Sequence, residues 1–253
     1  MAAVLIGGVT ALSFALTAAA ASAVKRQTLV VTEGQEELGG IKVYINQHAL
    51  KIVYMVGKCY IVSAAPDWRV VFYNPANNKG IEMPAQEWLH HKMRLYYIPI
   101  PAAKDDFMLY PQATTKMFGF PCKHYLLVRP TEAAHPNLRE PKERKYAVIE
   151  TPLANPTACK ILQHAFGAPA SSGVPVSLTY VTYGSKNNNG PKNKNADSFG
   201  HRTVRVLVTT EVDRQEIADD FFQYPTNFKP AAMEADIMND PKRDKDVYSV
   251  FYP

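Results

Sequence analysis

The chain has 253 residues, with 28 Lys or Arg against 23 Asp or Glu, and a formal net charge of +5. This mild excess lacks the basic stripe of a nucleic-acid-binding protein, so we expect no nucleic-acid partner. A content of 47% hydrophobic residues, with 14 Tyr and 11 Phe, is sufficient for a sizeable core, and the length suits one large β-domain.

The first 24 residues carry no charged side chain. Residues 4–23 form an apolar run that ends in Ala21-Ser22-Ala23, which fits the small-x-small cleavage pattern of a secretory signal peptide. Most of the run is Ala, Gly and Thr, which would make a weak membrane span. We therefore expect a signal peptide at 1–23, a protein exported to the periplasm or secreted, and no stable membrane span after cleavage.

The next hundred residues read as β-structure, because β-branched and aromatic segments alternate with turn formers at the spacing of an antiparallel meander. Strands are predicted at 27–32, 41–46, 51–56, 59–63, 68–73 and 93–98, and a hairpin at 114–118 and 122–128. Residues 84–92 can form either a short helix after Pro84 or an irregular crossing. A charged, proline-containing loop at 130–143 then leads to a short strand at 145–150.

One helix is marked more clearly than any other element. Asn155 is a good N-cap, Pro156 suits the first helical turn, and Gly167 can end the helix. Apolar residues recur at helical spacing on one face: Ala158, Ile161, Leu162, Ala165 and Phe166. Because strands are the only other elements in quantity, this face is expected to pack against a sheet.

Two long strands at 174–183 and 201–212 follow, joined by an Asn- and Lys-rich loop at 184–197. A short acidic turn or helix is predicted at 213–220. A compact cluster of aromatic residues is predicted at 221–225. We expect a single domain over 24–230. The remaining 231–253 read as a tail with a short helix at 231–238, lying along the surface or partly disordered.

No segment carries the residues of a catalytic, metal or cofactor site, so the chain reads as a non-enzyme without a cofactor. Cys122 and His124 would face the same side of a strand and could form a thiol–imidazole pair, but a half-buried Cys beside a surface His is the commoner arrangement. His90 and His91 are adjacent and point in different directions, so they cannot clamp one ion. The three cysteines, Cys59, Cys122 and Cys159, allow one disulfide with a free thiol or three free thiols.

The fold class is therefore mainly β (α+β), a strongly curved antiparallel sheet or half-barrel with one main helix packed on its concave face. One helix does not fill such a face, and several hundred Å² of uncovered apolar surface would cost on the order of 10 kcal/mol at ~25 cal/mol per Å². Side chains, a partner or an acyl chain should occupy the space. The residues predicted to line this cavity are Phe72, Leu126, Ile161, Leu162, Phe166, Leu178, Tyr180, Val206 and Phe222.

Three short motifs occur in order along the chain. Residues 115–125 contain Gly119-x-x-Cys122-x-x-Tyr125, residues 71–75 end a strand in Tyr-Asn-Pro, and 219–225 with Phe228 place aromatic residues around a proline. Together they resemble the secreted domains of the outer-membrane lipoprotein-sorting superfamily, the LolA/LolB/LppX-like group. The resemblance implies a half-barrel of antiparallel strands with an apolar cavity for acyl chains, and export. It supplies no catalytic residue.

We therefore expect an exported, non-catalytic binding protein whose half-barrel cavity takes a lipid or acyl chain, with a role in lipid or lipoprotein trafficking. The alternative is an envelope structural or protein-interaction module whose core is filled by its own side chains. Its protein partner would then dock on the tail after Ala231.

Overall fold

The computed structural model describes residues 24–35, 39–55, 58–91, 107–128, 144–183 and 201–238. The strands in these ranges are β1 Lys25–Gln35, β2 Gly39–Ile45, β3 Ala49–Tyr54, β4 Cys59–Ala64, β5 Arg69–Asn74, β6 Lys79–Met83, β7 Met108–Met117, β8 Phe120–Val128, β9 Lys145–Ile149, β10 Val174–Tyr183, β11 His201–Ala218 and β12 Lys229–Pro230. The helices are α1 Ala85–His90, α2 Pro156–Ala165, α3 Glu234–Met238 and a 3-10 helix at Asp219–Phe222. No helix within these ranges is both long and apolar enough to cross a membrane.

All twelve strands join one open sheet, in the order β12-β6-β5-β4-β3-β2-β1-β11-β10-β9-β8-β7. The prediction of a mainly β, antiparallel architecture is confirmed, although β12 runs parallel to β6 and makes the sheet mixed. β1 lies in the middle of the sheet, between β2 and β11. The central pair therefore joins the beginning of the described chain to a strand near its end.

The first six strands bury side chains on both faces. Residues on neighbouring strands that share a register position point to the same face. One buried row of this kind crosses five strands: Val31, Val43, Ile52, Ile61 and Phe72. We call the face that carries this row the helical face, because α1 and α2 pack against its core. The opposite face carries a smaller cluster of Val62, Val71 and Tyr73.

α2 confirms the prediction of a helix between Asn155 and Gly167. The Asn155 side-chain oxygen accepts a hydrogen bond from the Thr157 backbone N–H at 2.8 Å, and Pro156 occupies the first helical position. After the last turn, Gly167 has a φ of 60°, the left-handed conformation that glycine adopts without strain. The predicted apolar face is buried throughout. Local capping signals therefore defined both ends of this helix.

α2 is held against both the sheet and α1. It contacts β3 and β10, and the Trp88 indole N–H on α1 donates a hydrogen bond to the Ile161 carbonyl oxygen at 3.3 Å. At its other end the His164 ring nitrogen lies 2.9 Å from the carbonyl oxygen of His91. The helix pair thus covers the helical face as one unit.

The chain after β11 passes from one face of the sheet to the other. The Phe221 ring stands 4.6 Å from the Tyr44 ring, and the Lys51 ammonium donates to the Phe221 carbonyl oxygen at 2.7 Å, both on the opposite face. β12 then extends the sheet edge, and the Asn74 amide donates to the Ile237 carbonyl oxygen at 2.8 Å in the core of the helical face. We call residues 219–238 the wrapping segment.

Several boundaries differ from the sequence predictions. β3 begins at Ala49 rather than residue 51, because the Asn46 side-chain oxygen accepts from the backbone N–H of both His48 and Ala49 and tightens the turn before it. β6 was not predicted, since residues 79–83 read only as the end of a reversal. Residues 213–218 are strand rather than an acidic turn or helix, because they pair with β1 as far as Ala218.

Of the two alternatives for residues 84–92, the short helix is present as α1, and the helix expected at 231–238 is present as the shorter α3. The predictions for 1–23, 93–98, 130–143, 184–197 and 239–253 lie outside the described residues.

Candidate functional site

Most of the residues predicted to line a cavity are packed inside the core of the helical face. Each of six has at most 1% of its surface exposed: Phe72, Ile161, Leu162, Phe166, Leu178 and Val206. Side chains with so little accessible surface contact other protein atoms on almost every side. The structure therefore brings these residues together, but as mutually packed side chains rather than as the wall of an open cavity.

The other three predicted residues lie elsewhere. Phe222 is 4% exposed and belongs to the 3-10 helix, which contacts β3, β4 and β11 and lies outside the helical-face core. The Tyr180 side chain lies outside the described residues. Leu126 is half-buried on β8 and lines a real cleft.

This cleft, which we call the strand cleft, crosses β7 to β10 and has a volume of about 480 Å³. Its lining residues are Gln112, Met117, His124, Tyr125, Leu126, Lys145, Tyr146, Ala147, Ser177 and Thr179. Apolar and aromatic side chains make up about half of this set, and polar side chains the rest. Such a mixture is typical of a site that binds a small amphipathic molecule.

Strand register explains why six of these residues meet. His124, Ala147 and Ser177 occupy one row across β8, β9 and β10. Leu126, Lys145 and Thr179 form a row two residues along, so both rows point to the same face of the sheet. Register shifts in β7 and β10 interrupt the regular ladder next to these rows. The cleft thus depends on the pairing of segments that are far apart in sequence.

Among the described residues that line the strand cleft, Lys145 carries a positive charge. Lys145 is exposed at its rim, and the next residue in its row after Thr179 is Arg205 on β11, which is also exposed. The His124 ring nitrogen lies 2.7 Å from the Thr115 hydroxyl. None of the described residues that line the cleft is a carboxylate.

The Cys122 and His124 pair does not have the features of a reactive thiol. The Cys122 sulfur is buried, lies 3.3 Å from the Met117 sulfur, and has its pKa raised by burial. A nucleophilic cysteine instead needs a lowered pKa. The other two cysteines are also buried free thiols, and burial raises the pKa of Cys59 to about 11 and of Cys159 to about 12.

Three other places in the structure were candidates for a functional site. In the described ranges, no three His, Cys, Asp or Glu side chains are arranged to hold a metal ion. A second cleft of about 500 Å³ lies beside the wrapping segment, near the Arg26–Asp219 ion pair at 2.7 Å. His91 is engaged with Glu234, so it binds α1 to the wrapping segment.

Sequence reasoning overlooked one buried acid. Glu33 on β1 is 1% exposed, and neither carboxyl oxygen accepts a well-formed hydrogen bond from another described residue. Burial raises the pKa of this carboxyl well above its ordinary value, and the neighbouring Thr209 side chain offsets only part of the rise. The signal was available, because alternation places Glu33 on the same face as Leu29 and Val31.

No family model matches the chain, and no characterised protein is significantly similar to it in sequence.

Proposed function

We propose that this chain is an exported, non-catalytic binding protein that holds a lipid or another acyl chain in the strand cleft. The observation that carries the proposal is the cleft itself, about 480 Å³ of space with Leu126, Met117 and Tyr125 among its lining residues. Ligand pockets in proteins commonly measure ~300–1,000 Å³ and combine apolar walls with a few polar groups. The apolar run at 4–23 and its small-residue end support export.

The position of the ligand differs from the position expected from the sequence. Ile161, Leu162 and Leu178 have no exposed surface, so an acyl chain could enter the helical-face core only by displacing packed side chains. Even a few extra methylenes in a filled core cost roughly 1–3 kcal/mol. The strand cleft is already open and needs no such displacement.

The proposal includes a strongly curved half-barrel with α2 on its concave face. α2 has 10 residues, about 15 Å at ~1.5 Å each. It contacts both β3 and β10, which would lie four strand spacings apart in a flat sheet, roughly 19 Å at ~4.8 Å each, and curvature would bring these strands closer to the helix.

A second contact supports the curvature. The Arg214 guanidinium carbon lies 4.7 Å from the centre of the Phe120 ring, although β10 and β9 separate their strands. A double-mutant cycle with Arg214→Gln and Phe120→Leu tests this contact. We expect a coupling energy of about 0.5 kcal/mol or more, whereas additive effects would argue for a flatter sheet.

A cleft-filling variant tests the proposed function. Thr179→Trp should fill the strand cleft and weaken binding of the neutral apolar fluorophore N-phenyl-1-naphthylamine at least tenfold, because the indole occupies the ligand's volume. Gln215→Trp, on an exposed part of β11 away from the cleft, is the matched control and should bind as the wild type does. Fluorescence titration measures both, with thermal melting to show that each variant is folded. A wild-type protein that binds no apolar probe, or equal binding by Thr179→Trp, would exclude the strand cleft.

An envelope interaction module remains the second candidate, favoured by the filled core of the helical face. Ile237 is fully buried, so removing all of 231–253 would damage the fold as well as any docking segment. A cleaner test deletes only 239–253 and compares partner capture from envelope extracts with that of the full chain. Unchanged capture would count against docking on this part of the tail.

A further inference from the structure

We propose that the strand cleft selects amphiphiles with an anionic head, which Lys145 and Arg205 hold at the rim. This inference rests on the proposed function, because it assigns the chemistry of the ligand in the same cleft. It follows from the arrangement of charges around the apolar wall.

The row that crosses the cleft runs from one apolar residue on β8 to three polar residues on β9, β10 and β11. Leu126 pairs with Lys145, Lys145 with Thr179, and Thr179 with Arg205. Neighbouring strands are ~4.8 Å apart, so the Lys145 and Arg205 backbones lie two spacings apart, about 10 Å, on one face. Both side chains are long enough to reach a single group above Thr179, whose hydroxyl can donate a third hydrogen bond.

Some cations of the sheet are paired with carboxylates. Lys123 lies 2.8 Å from Glu150, and Arg26 lies 2.7 Å from Asp219. Among the described residues, neither Lys145 nor Arg205 forms an ion pair with a carboxylate. Positive charge is therefore concentrated beside an apolar wall without internal compensation, which favours a ligand that supplies the negative charge.

The shape of the cleft divides the ligand into two parts. Met117, Leu126 and Ala147 offer an apolar wall along β7 to β9, and a polar row of Lys145 on β9, Thr179 on β10 and Arg205 on β11 begins beside this wall. An acyl tail on the apolar wall would place its head near the two cations. Carboxylate and phosphate heads share this chemistry, since both accept charge-assisted hydrogen bonds from ammonium and guanidinium groups.

The test compares twelve-carbon probes that differ only in their heads. Isothermal titration calorimetry with dodecanoate, dodecyl phosphate, 1-dodecanol and dodecyltrimethylammonium would be run on wild type, Lys145→Gln, Arg205→Gln and the control Lys116→Gln. Lys116 is exposed on β7 and does not line the cleft. The readout is the ratio of anionic-probe to dodecanol affinity, which a general loss of packing would leave unchanged.

We expect each cleft variant to lower this ratio about tenfold and Lys116→Gln to leave it unaltered, with the effect weakened by added salt. The tighter of dodecanoate and dodecyl phosphate identifies the head. If dodecanol and the anions bind but no variant changes the ratio, or if the cationic probe binds best, the charge assignment is wrong and the apolar cleft stands. If no probe binds, the proposed function fails with it.

Discussion

At position 33 a carboxyl group is buried in the sheet, and neither of its oxygens has a hydrogen-bond partner among the described residues. Burial raises its pKa above the ordinary value, so the folded protein keeps the proton over a pH range in which the unfolded chain releases it. The unfolded state then binds fewer protons than the folded state, and stability falls as pH rises. The contribution is fully present below the ordinary pKa of a glutamate and is lost as pH rises through the folded-state pKa.

Glu33→Gln should remove this pH dependence, since an amide of nearly the same shape carries no charge to desolvate. We expect wild type and variant to have similar unfolding free energies near pH 4, and the variant to be the more stable at pH 8. The wild-type slope should approach ~1.4 kcal/mol per pH unit between the two pKa values. Urea unfolding at intervals between pH 4 and pH 8 measures it. Glu211→Gln, on an exposed neighbour in β11, serves as the control, and parallel curves for Glu33→Gln and wild type would contradict the prediction.

At the scale of single elements, α2 joins the two halves of the helical face, because it contacts strands on both sides of the central β1–β11 pair. Leu162 is fully buried on its apolar face and Lys160 is exposed on the same helix. A substitution at Leu162 therefore tests how the helix packs, and a substitution at Lys160 tests its intrinsic helix propensity.

Leu162→Ala should lower the free energy of unfolding by about 2–5 kcal/mol, through lost burial and the cavity left behind. Leu162→Asp should be worse and abolish cooperative unfolding, because it buries a charge without a partner. Lys160→Ala should change stability by less than ~0.5 kcal/mol. Chemical denaturation followed by circular dichroism measures all three, and equal effects at 160 and 162 would show that α2 is not packed as described.

Contact between the edge strand β6 and the wrapping segment depends on a glycine. A Cβ built on Gly80 would lie 2.8 Å from a ring carbon of Phe228, closer than side-chain atoms approach each other. The bare backbone of Gly80 therefore lets the ring lie directly on the strand, where β12 joins the sheet.

Gly80→Ala should destabilise the protein by about 1–3 kcal/mol, since the ring of Phe228 must move away from its contact. Gly40→Ala is the matched control, because a Cβ there would meet Met55 at an ordinary 3.5 Å. Combining Gly80→Ala with Phe228→Leu should recover part of the loss. Thermal melting of the four proteins checks the prediction, which fails if Gly80→Ala behaves like the control.

At the scale of the whole molecule, the sequence was informative wherever structure is specified locally. The caps of α2 and the alternation of β2 lie within a few residues of one another and were predicted correctly. Residues 213–216 of β11 are exposed and polar, and only pairing with β1 makes them a strand, so no local pattern marks them. β6, with five residues and an internal glycine, is likewise specified by its neighbour β5.

The candidate site follows the same rule. Among the predicted cavity residues whose side chains the structure describes, Leu126 lines the strand cleft and six others are packed in the core. Lys145 and Thr179 share the cleft only because β9 and β10 pair in one register, across the intervening helix. Amphipathic patterns identify which residues are buried, but register over long sequence distances decides which of them face a cleft.

The central pairing of β1 with β11 also means that the sheet cannot be completed until most of the chain has been synthesised. Leu29 pairs with Arg214, a separation of 214 − 29 = 185 residues. At a synthesis rate of ~5–20 residues per second, roughly 10–40 s pass before both partners exist. During this interval β1 has an open edge and the two halves of the sheet cannot join. A nascent chain in that condition exposes an apolar strand edge, which other chains can pair with until β11 has been made.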